Sequence, residues 1–226
     1  MEYIDFVTML ENERPFHFVR YGDGEWRVIF GDPGFNCDGH NYKIPGLQED
    51  MIRTIKVHKT YFYGMQGLAS KLFPKRIEAF LEGLFIPWID ADIFHDASRN
   101  GNLNPFISAL KNKRVCFVGP KHLTTPNTFM SSLSCRPGNL CIFVPDKNCY
   151  LAKSEIYRRI ETVADEMQVF VFSAGFLSKI LIWELHSFLK PNWLIDVGSL
   201  WDPYCGINSR RYHYTIPEAF KKANFA

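Results

Sequence analysis

Four short apolar runs, each ended by a turn of small residues, constrain the fold of this chain more than any other feature. They span residues 114–118, 140–144, 169–172 and 193–197. Residues 151–167 and 176–189, which lie between them, have apolar residues at helical spacing. Short buried-type strands that alternate with helices are typical of right-handed βαβ units and a parallel sheet. We therefore predict an α/β fold in which a Rossmann-like, mostly parallel sheet is flanked by helices.

The first half of the chain repeats this alternation less regularly. Helices are predicted over residues 4–11, 24–30, 47–57, 73–84 and 103–110. Strands are predicted over residues 16–20, 60–64 and, in short form, within 88–95. A chain of 226 residues fits one domain, and the sequence contains no obvious linker or repeat. We therefore expect a single domain over residues 1–226.

Composition argues against several classes of partner and location. The net charge of +2 is too small to favour nucleic acid or an anionic membrane as the main partner. No apolar run reaches the length of a transmembrane helix, and the acidic N-terminus does not resemble a signal peptide. The six cysteines form no Cys-x-x-Cys pair, which argues against a zinc module. We therefore expect a cytoplasmic protein with reduced thiols and no transmembrane segment.

The turn after the first predicted strand carries two carboxylates on either side of a glycine, Asp23 and Glu25. Mg²⁺ usually takes one or two protein carboxylates together with substrate phosphates. Gly22 and Gly24 allow the backbone to bend sharply and to approach a bulky ligand. Asp23 and Glu25 are therefore candidate catalytic and metal-binding residues at a diphosphate. The alternative is local, with Asp23 as a helix N-cap and Glu25 stabilised by the helix dipole.

Other predicted strand ends carry residues that suit a phosphate or a sugar. In a parallel sheet these ends meet at one edge, where α/β proteins bind ligands. Ser173 and Gly175 precede a helix whose first amides could cradle a phosphate, although an ordinary tight turn also uses such residues. Lys121 could offset phosphate charge or be a solvated loop residue. Asp196 could act as a base or orient a hydroxyl, or it could cap the next turn.

The turn after the first strand also resembles a family signature. Its sequence is Arg20-Tyr21-Gly22-Asp23-Gly24-Glu25, and the GT-D fold glycosyltransferases, formerly a domain of unknown function, carry Arg-aromatic-Gly-Asp-Gly-Glu. Residues 114–120, 172–181 and 195–199 resemble that family's central strand, its late strand-turn-helix and its closing Asp-x-Gly segment, in the same order. Residues 35–110 show no such resemblance.

The resemblance implies a GT-D type domain that transfers a hexose from a nucleotide-diphosphate sugar, with a UDP-hexose as the expected donor, to a glycan or other hydroxyl acceptor. It implies that Asp23 and Glu25 act at Mn²⁺ or Mg²⁺ and at the diphosphate. The expected cofactor-binding residues are Arg20, Tyr21, Gly22, Gly24, Lys121, Ser173 and Gly175. Arg20 offers a bidentate fork to a diphosphate, and the alternative is an ion pair within the protein.

The sequence does not identify one base or one acceptor site. A transfer that inverts the anomeric centre needs a base, and Asp196, Asp202 and His122 are candidates. Acceptor binding is expected from residues 35–42 and 201–214, whose aromatic side chains include Tyr42, Trp201, Tyr204 and Tyr212. The alternative for Trp201 and Tyr204 is that they pack the end of the sheet. Two other functions remain possible: a metal-dependent phosphohydrolase or nucleotidyl enzyme, and a non-catalytic module that binds a sugar or nucleotide.

Overall fold

The computed structural model describes residues 1–55, 61–189 and 192–226. Within these ranges seven strands form one sheet in the order β3-β2-β1-β7-β6-β4-β5, and every pair of neighbours is parallel. The strands are β1 His17–Tyr21, β2 Tyr61–Met65, β3 Trp88–Asp90, β4 Val115–Gly119, β5 Leu140–Phe143, β6 Val169–Phe172 and β7 Trp193–Asp196. The predicted α/β fold with a parallel, Rossmann-like sheet is confirmed.

Helices connect the strands and cover both faces of the sheet. They are α1 Tyr3–Glu11, α2 Asp23–Ile29, α3 Leu47–Arg53, α4 Gly67–Leu72, α5 Pro74–Phe80, α6 Ile93–Arg99, α7 Asn104–Lys111, α8 Phe129–Ser134, α9 Lys153–Glu161, α10 Phe176–Leu185 and α11 Glu218–Asn224. Four short 3₁₀ segments lie at Lys121–Thr124, Cys149–Ala152, Asp202–Tyr204 and Arg211–Thr215. None of these described helices is both long and apolar enough to cross a membrane.

Several predicted boundaries differ from the structure. The helix predicted over residues 73–84 is α5, which ends earlier, at Phe80, and is separate from α4. It begins at Pro74, because proline has no N–H to donate and suits the first position of a helix. Helix α6 occupies residues where only a short strand was expected, because its mixed aromatic and polar sequence lacks a clear apolar period. Residues 56 and 57 of one predicted helix, and residue 60 of one predicted strand, lie outside the described residues.

The apolar core forms a layer on each side of the sheet. On one side, Tyr21 and Val118 pack with Trp26 of α2 and Leu181 of α10. On the other side, Phe18 and its neighbours pack with helices α1, α6 and α7. Trp201 and Tyr204 belong to this second layer and are at most 1% exposed, so the expectation that these two rings bind an acceptor is wrong. Burying an aromatic ring of this size stabilises the fold more than an exposed ring could.

The carboxyl ends of the parallel strands bring distant turns to one edge. Gly22 follows β1 directly, Gly119 ends β4, Gly175 is the third residue after β6, and Gly198 is the second residue after β7. The predicted meeting of these four turns at one sheet edge is confirmed. Gly175 and Gly198 have φ values of 52° and 53°, a left-handed region that glycine adopts at little cost.

Gly64 tests how closely the sheet packs against the turn that follows β3. A Cβ at Gly64 would lie 2.7 Å from the Cα of Ala91, which is backbone and cannot swing away. We expect Gly64→Ala to lower the free energy of unfolding by about 1–3 kcal/mol, measured by urea denaturation. Gly67→Ala is the matched control, since nothing lies within 4 Å of its added Cβ. It should leave stability unchanged or raise it by up to about 1 kcal/mol. Equal effects of the two substitutions would contradict this packing argument.

Candidate functional site

A cleft of about 630 Å³ opens at the carboxyl edge of the sheet, and we call it the main cleft. Its walls include Arg20, Asp23, Glu25, Lys179 and Tyr212. These residues come from the end of β1, from α2, from α10 and from the segment after β7. The cleft therefore lies where ligands bind in parallel α/β sheets.

A buried lysine joins the elements beneath the main cleft. The side chain of Lys179 is 4% exposed, and its Nζ lies 2.8 Å from Oε1 of Glu25 and 2.9 Å from Oδ2 of Asp196. The same ammonium donates a hydrogen bond of 3.1 Å to the carbonyl of Gly175. One side chain of α10 thereby links α2, β7 and the turn after β6.

Charge and burial act on this cluster in opposite directions. Burial raises the pKa of Glu25, but the charge of Lys179 and hydrogen bonds from Lys179 and Gly22 reverse this, and the net shift is downward. Burial lowers the pKa of Lys179, but the charges of Asp196 and Glu25 reverse this, and the net shift is upward. Lys179 is therefore charged and Glu25 is ionised at neutral pH.

Asp196 is a structural centre of the sheet edge. It is fully buried, and its Oδ2 accepts the backbone N–H of Arg20 at 3.3 Å as well as facing Lys179. Its Oδ1 accepts the backbone N–H of Gly198 at 3.1 Å. Because these donors hold both oxygens below the surface of the cleft, the geometry argues against Asp196 as a base for a substrate.

The turn with Asp23 and Glu25 divides its two carboxylates between different environments. Gly22, and not Asp23, is the N-cap of α2, and its N–H donates to Oε2 of Glu25 at 2.9 Å. Asp23 lies in the first turn of the helix with 42% of its side chain exposed, and its Oδ2 is 3.9 Å from Nε of Arg27. Gly24 packs against Phe176, whose Cε1 would be 3.4 Å from an added Cβ.

This arrangement bears on whether the turn fits a divalent cation. The carboxylate of Asp23 is open to the cleft, whereas each oxygen of Glu25 already accepts a hydrogen bond or faces Lys179. No cluster of three or more histidine, cysteine, aspartate or glutamate side chains forms a metal cage in the described ranges. The residues therefore fit an ion shared between Asp23 and the phosphates of a ligand, a common way for proteins to bind Mg²⁺. Glu25, expected as a second metal ligand, is held by Gly22 and Lys179, and its role at a metal stays a prediction.

Arg20 is largely engaged by the protein. Its Nε donates to the carbonyl of Ala91 and its Nη2 donates to Oδ1 of Asp92, both at 2.6 Å. Its Nη1 lies against Gly198, so close that a Cβ there would overlap it. The ion pair named as the alternative for Arg20 is present, and the guanidinium still forms part of the wall of the main cleft.

Two expected cofactor-binding side chains lie away from the cleft. Alternation along β1 turns Tyr21 to the opposite face from Arg20, and its hydroxyl is buried 2.7 Å from Oγ1 of Thr54. The expectation for the Tyr21 side chain is therefore wrong, because it belongs to the core. Lys121 is exposed on a 3₁₀ segment and lines neither the main cleft nor the cavity described next, although its neighbours Pro120 and His122 line that cavity, so its role at a phosphate stays a prediction.

A smaller cavity of about 280 Å³ adjoins the main cleft, and we call it the side cavity. Its own walls include Ser173, which was expected at a strand end, and His122 and Asp202, which were candidate bases. The side cavity and the main cleft share a wall made of Asp38, Gly175, Gly198, Ser199 and Arg210. Gly175 therefore faces both spaces, whereas Ser173 faces the side cavity.

An ion pair between distant segments forms part of the shared wall. The guanidinium of Arg210 donates to Oδ1 of Asp38 at 2.6 Å and to Oδ2 at 2.5 Å. This bidentate geometry is the strong form of an arginine–carboxylate contact. It fixes the loop around residue 38 to the segment after β7, which places residues 35–42 and 207–212 around both spaces.

Lys179 was not singled out from the sequence, although a signal was present. It is the one charged residue of the apolar run 176–183, four residues after Gly175, and eight of the ten residues of α10 are buried, Lys179 among them. A lysine is almost never fully buried unless it is paired. The combination predicts a carboxylate partner, but the sequence does not say which of the strand-end acids it would be.

Removal of the Lys179 charge should destabilise the protein strongly. Lys179→Met leaves two buried carboxylates without their cation, and we expect the free energy of unfolding to fall by about 3–5 kcal/mol. In the wild type, the lowered pKa of Glu25 contributes stability that is lost as the pH falls through that pKa. In the variant the charge of Lys179 is gone, and burial outweighs the remaining hydrogen bond from Gly22 and raises that pKa. The difference in stability between the wild type and the variant should therefore narrow as the pH falls from about 8 to about 5.

Lys153 provides the matched control for this substitution. Its Nζ also lies between two carboxylates, 2.7 Å from Asp50 and 3.0 Å from Glu184, but the side chain is 26% exposed. Lys153→Met should cost only about 0–1 kcal/mol by urea denaturation, because solvent screens an exposed pair. Similar losses of unfolding free energy in the two variants would contradict the role assigned to Lys179. A difference in stability between the wild type and Lys179→Met that widens as the pH falls would contradict it as well.

No family model and no curated protein match the sequence. Solved structures nevertheless share its fold over most of its length. One is a selenomethionine-substituted structure of domain of unknown function 1792, with a TM-score of 0.69 and 15% identity over 96% of this chain and 88% of that chain. A second is described as showing that this highly conserved domain has a distinct glycosyltransferase fold. Its TM-score is 0.67, with 17% identity over 96% of this chain and 88% of that chain.

A third is described as a new glycosyltransferase (DUF1792) from Streptococcus sanguinis. Its TM-score is 0.66, with 14% identity over 89% of this chain and 81% of that chain. Identities of 14–17% establish a common fold and no more. The chain therefore has the GT-D type of fold that its signature implied.

Proposed function

We propose that this protein is a metal-dependent glycosyltransferase that moves a hexose from a nucleotide-diphosphate sugar to a glycan or other hydroxyl acceptor. One observation carries the proposal: the open carboxylate of Asp23 lies in a cleft at the carboxyl edge of a sheet whose fold is described as a glycosyltransferase fold in its structural neighbours. A UDP-hexose is the donor that the signature favours. Fold alone does not fix an activity, so the residues of the cleft have to support it.

The main cleft has the size and walls that a nucleotide sugar requires. Its volume of about 630 Å³ lies within the range of roughly 300–1,000 Å³ that is usual for ligand pockets. The aromatic side chains along it are Phe35, Tyr42, Phe176 and Tyr212. Aromatic faces suit both a nucleobase and the apolar face of a sugar ring. Residues 35–42, expected to bind the acceptor, therefore contribute to the space assigned here to the donor.

Positive charge in the main cleft supports binding of a diphosphate. In the described part of the chain four arginines line it: Arg20, Arg27, Arg210 and Arg211. The amides at the start of the ten-residue helix α10 follow Gly175 at the same edge, and helix N-termini favour anions. With Lys179 the four arginines make five cationic side chains against the three carboxylates of Asp23, Glu25 and Asp38 among the described residues of the lining, and this excess favours an anionic ligand.

The two carboxylates of the Asp23 turn have separable roles in this proposal. Asp23 would hold Mn²⁺ or Mg²⁺ together with the donor phosphates, and such an ion supplies Lewis-acid stabilisation to a leaving diphosphate. Glu25 holds the amide of Gly22 and pairs with Lys179, so the turn keeps its shape. Preorganised charges of this kind cost no rearrangement when negative charge grows on the leaving group.

The proposal predicts ligand stabilisation that depends on both metal and Asp23. A ligand that binds only the folded state raises stability by about 2.7 kcal/mol at one hundred times its dissociation constant. With UDP and Mn²⁺ together, Tm should rise in the wild type by more than the sum of the two separate effects. Asp23→Asn should lose this joint effect, whereas Glu49→Gln, at an exposed carboxylate on α3, should retain it. If UDP and Mn²⁺ together raise the Tm of Asp23→Asn as much as that of the wild type, Asp23 does not hold the metal.

Product analysis separates glycosyl transfer from the two other functions that the sequence left open. Wild-type protein with Mn²⁺, a panel of UDP-hexoses and simple glycosides should release the nucleoside diphosphate and form a new glycoside. A phosphohydrolase would instead release free phosphate, and a binding module would release no product. Turnover in Asp23→Asn should fall by at least about 100-fold, comparable to the loss of one preorganised transition-state contact.

A further inference from the structure

The side cavity is built for a small polar ligand beside the main cleft. Its volume of about 280 Å³ is just below the roughly 300 Å³ at which pockets for drug-sized ligands begin. It therefore suits one ring better than an extended chain. The shared wall at Gly198 and Ser199 follows directly from β7, so a ligand there would adjoin a ligand in the main cleft.

An unpartnered hydroxyl points to a ligand in this cavity. The Oγ of Ser173 is buried, and no hydrogen-bond partner for it exists within residues 1–55, 61–189 and 192–226. Buried polar groups nearly always have a partner, because leaving one unpaired is costly. Ser173 lines the side cavity, so a hydroxyl-bearing ligand can supply that partner.

A histidine–aspartate pair lies in the same cavity. The Nε2 of His122 is 3.0 Å from Oδ1 of Asp202, and the Oγ of Ser209 donates to Oδ2 of Asp202. Carboxylate oxygens only accept, so the proton of the neutral imidazole stands on Nε2. The Nδ1 of His122 therefore carries the lone pair, and no group in the described part of the chain donates a hydrogen bond to it.

The second histidine of the side cavity has the opposite arrangement. The Nδ1 of His40 accepts the backbone N–H of Asn148 at 2.8 Å. Its ring proton therefore stands on Nε2, which leaves this imidazole without a free lone pair. Burial lowers the pKa of His40 and keeps it neutral. His122 can accept a proton from a ligand, whereas His40 can only donate a hydrogen bond to one.

The other carboxylates near the side cavity are either held in ion pairs or lie on its side away from β7. Asp196 is buried under Lys179 and lines neither space. Asp38 is held by both terminal nitrogens of Arg210. Asp146 lines the cavity from an exposed loop, on the side away from β7. The imidazole of His122 is thus the group in this set that is both oriented and able to take up a proton.

We propose that the side cavity binds the hydroxyl-bearing ring of the acceptor, and that His122, oriented by Asp202, is the base for its hydroxyl. This inference rests on the proposed glycosyltransferase function. The acceptor O–H gives its proton to Nδ1 of His122, and the oxygen forms a bond to the anomeric carbon. The bond from that carbon to the diphosphate breaks, and its electron pair leaves with the diphosphate. Asp202 stabilises the resulting imidazolium, and the anomeric configuration inverts.

The test uses the full chain with the UDP-hexose that the wild type accepts and a 4-nitrophenyl glycoside as acceptor. Loss of a general base typically costs about 10²–10⁴-fold, so kcat for transfer by His122→Ala should fall by at least about 100-fold. The dissociation constant for UDP with Mn²⁺ should stay unchanged. Added imidazole should raise kcat of His122→Ala at least about tenfold, because it can fill the space that the missing ring leaves and act as the base.

Three further variants separate the base from its surroundings. Asp202→Asn should lower kcat with little effect on acceptor KM, and imidazole should not restore it because the ring is still present. Ser173→Ala should raise acceptor KM by about three- to tenfold, the effect of one lost hydrogen bond, with kcat retained. Thr125→Ala, at an exposed side chain next to the same 3₁₀ segment, should behave as the wild type.

The outcomes distinguish this inference from the proposed function. If the wild type transfers no sugar from any donor, the proposed function fails, and the inference fails with it. If transfer occurs but the product keeps the anomeric configuration of the donor, measured by proton NMR, His122 is not the base. Transfer by His122→Ala within about fivefold of the wild type, or a loss without imidazole rescue, would also overturn the inference while leaving the glycosyltransferase intact.

Discussion

The buried ammonium of Lys179 is the contact on which the sheet edge depends. It lies within 3 Å of carboxylates from α2 and β7, and Asp196 in turn accepts backbone N–H groups from Arg20 and Gly198. Burying a charge costs several kcal/mol unless partners compensate for it, so this cluster tolerates little displacement of any member. The turns that line the main cleft are fixed from below, and a donor would meet them already in place. Electrostatic preorganisation of this kind is usually the largest single contribution to catalysis.

The same constraint divides the acids of the site by role. Carboxylates under the surface, Glu25 and Asp196, are committed to Lys179 and to backbone amides, and they give the edge its shape. Asp23 is one helical residue beyond the N-cap and keeps an exposed carboxylate, because its side chain points away from the lysine. Proximity in sequence therefore does not imply a shared role. Asp23 and Glu25 are two residues apart, yet one faces solvent and the other an ion pair.

The sequence predicted the fold well and the site partly, for physical reasons. Strands β4, β6 and β7 are buried on both faces, β5 lies at the edge of the sheet, and all four are apolar runs, which is why the parallel sheet was recognised. The turns were placed correctly because parallel strands share one edge. The Tyr21 assignment failed because strand alternation decides which face of the sheet a side chain lies on, and a short motif does not specify that face. Helix α6 was missed because it has only seven residues, of which Ile93, Phe94 and Ala97 are apolar, and this run is too short to establish a helical period. Lys179 was missed because its partners are 154 and 17 residues away along the chain.

Unusual backbone conformations and a buried hydroxyl that is unpaired in the described part of the chain lie together at the boundary between the main cleft and the side cavity. Gly175 and Gly198 take left-handed backbone conformations there, and Ser173 has a buried hydroxyl without a partner among the described residues. Natural sequences tend to break local rules at functional sites and to compensate elsewhere. In this protein the compensation is the cluster around Lys179, which holds both glycine turns through Gly175 and Asp196. These glycine turns bring the two spaces within reach of each other, as the proposed transfer requires, because donor and acceptor must meet with their reacting atoms aligned.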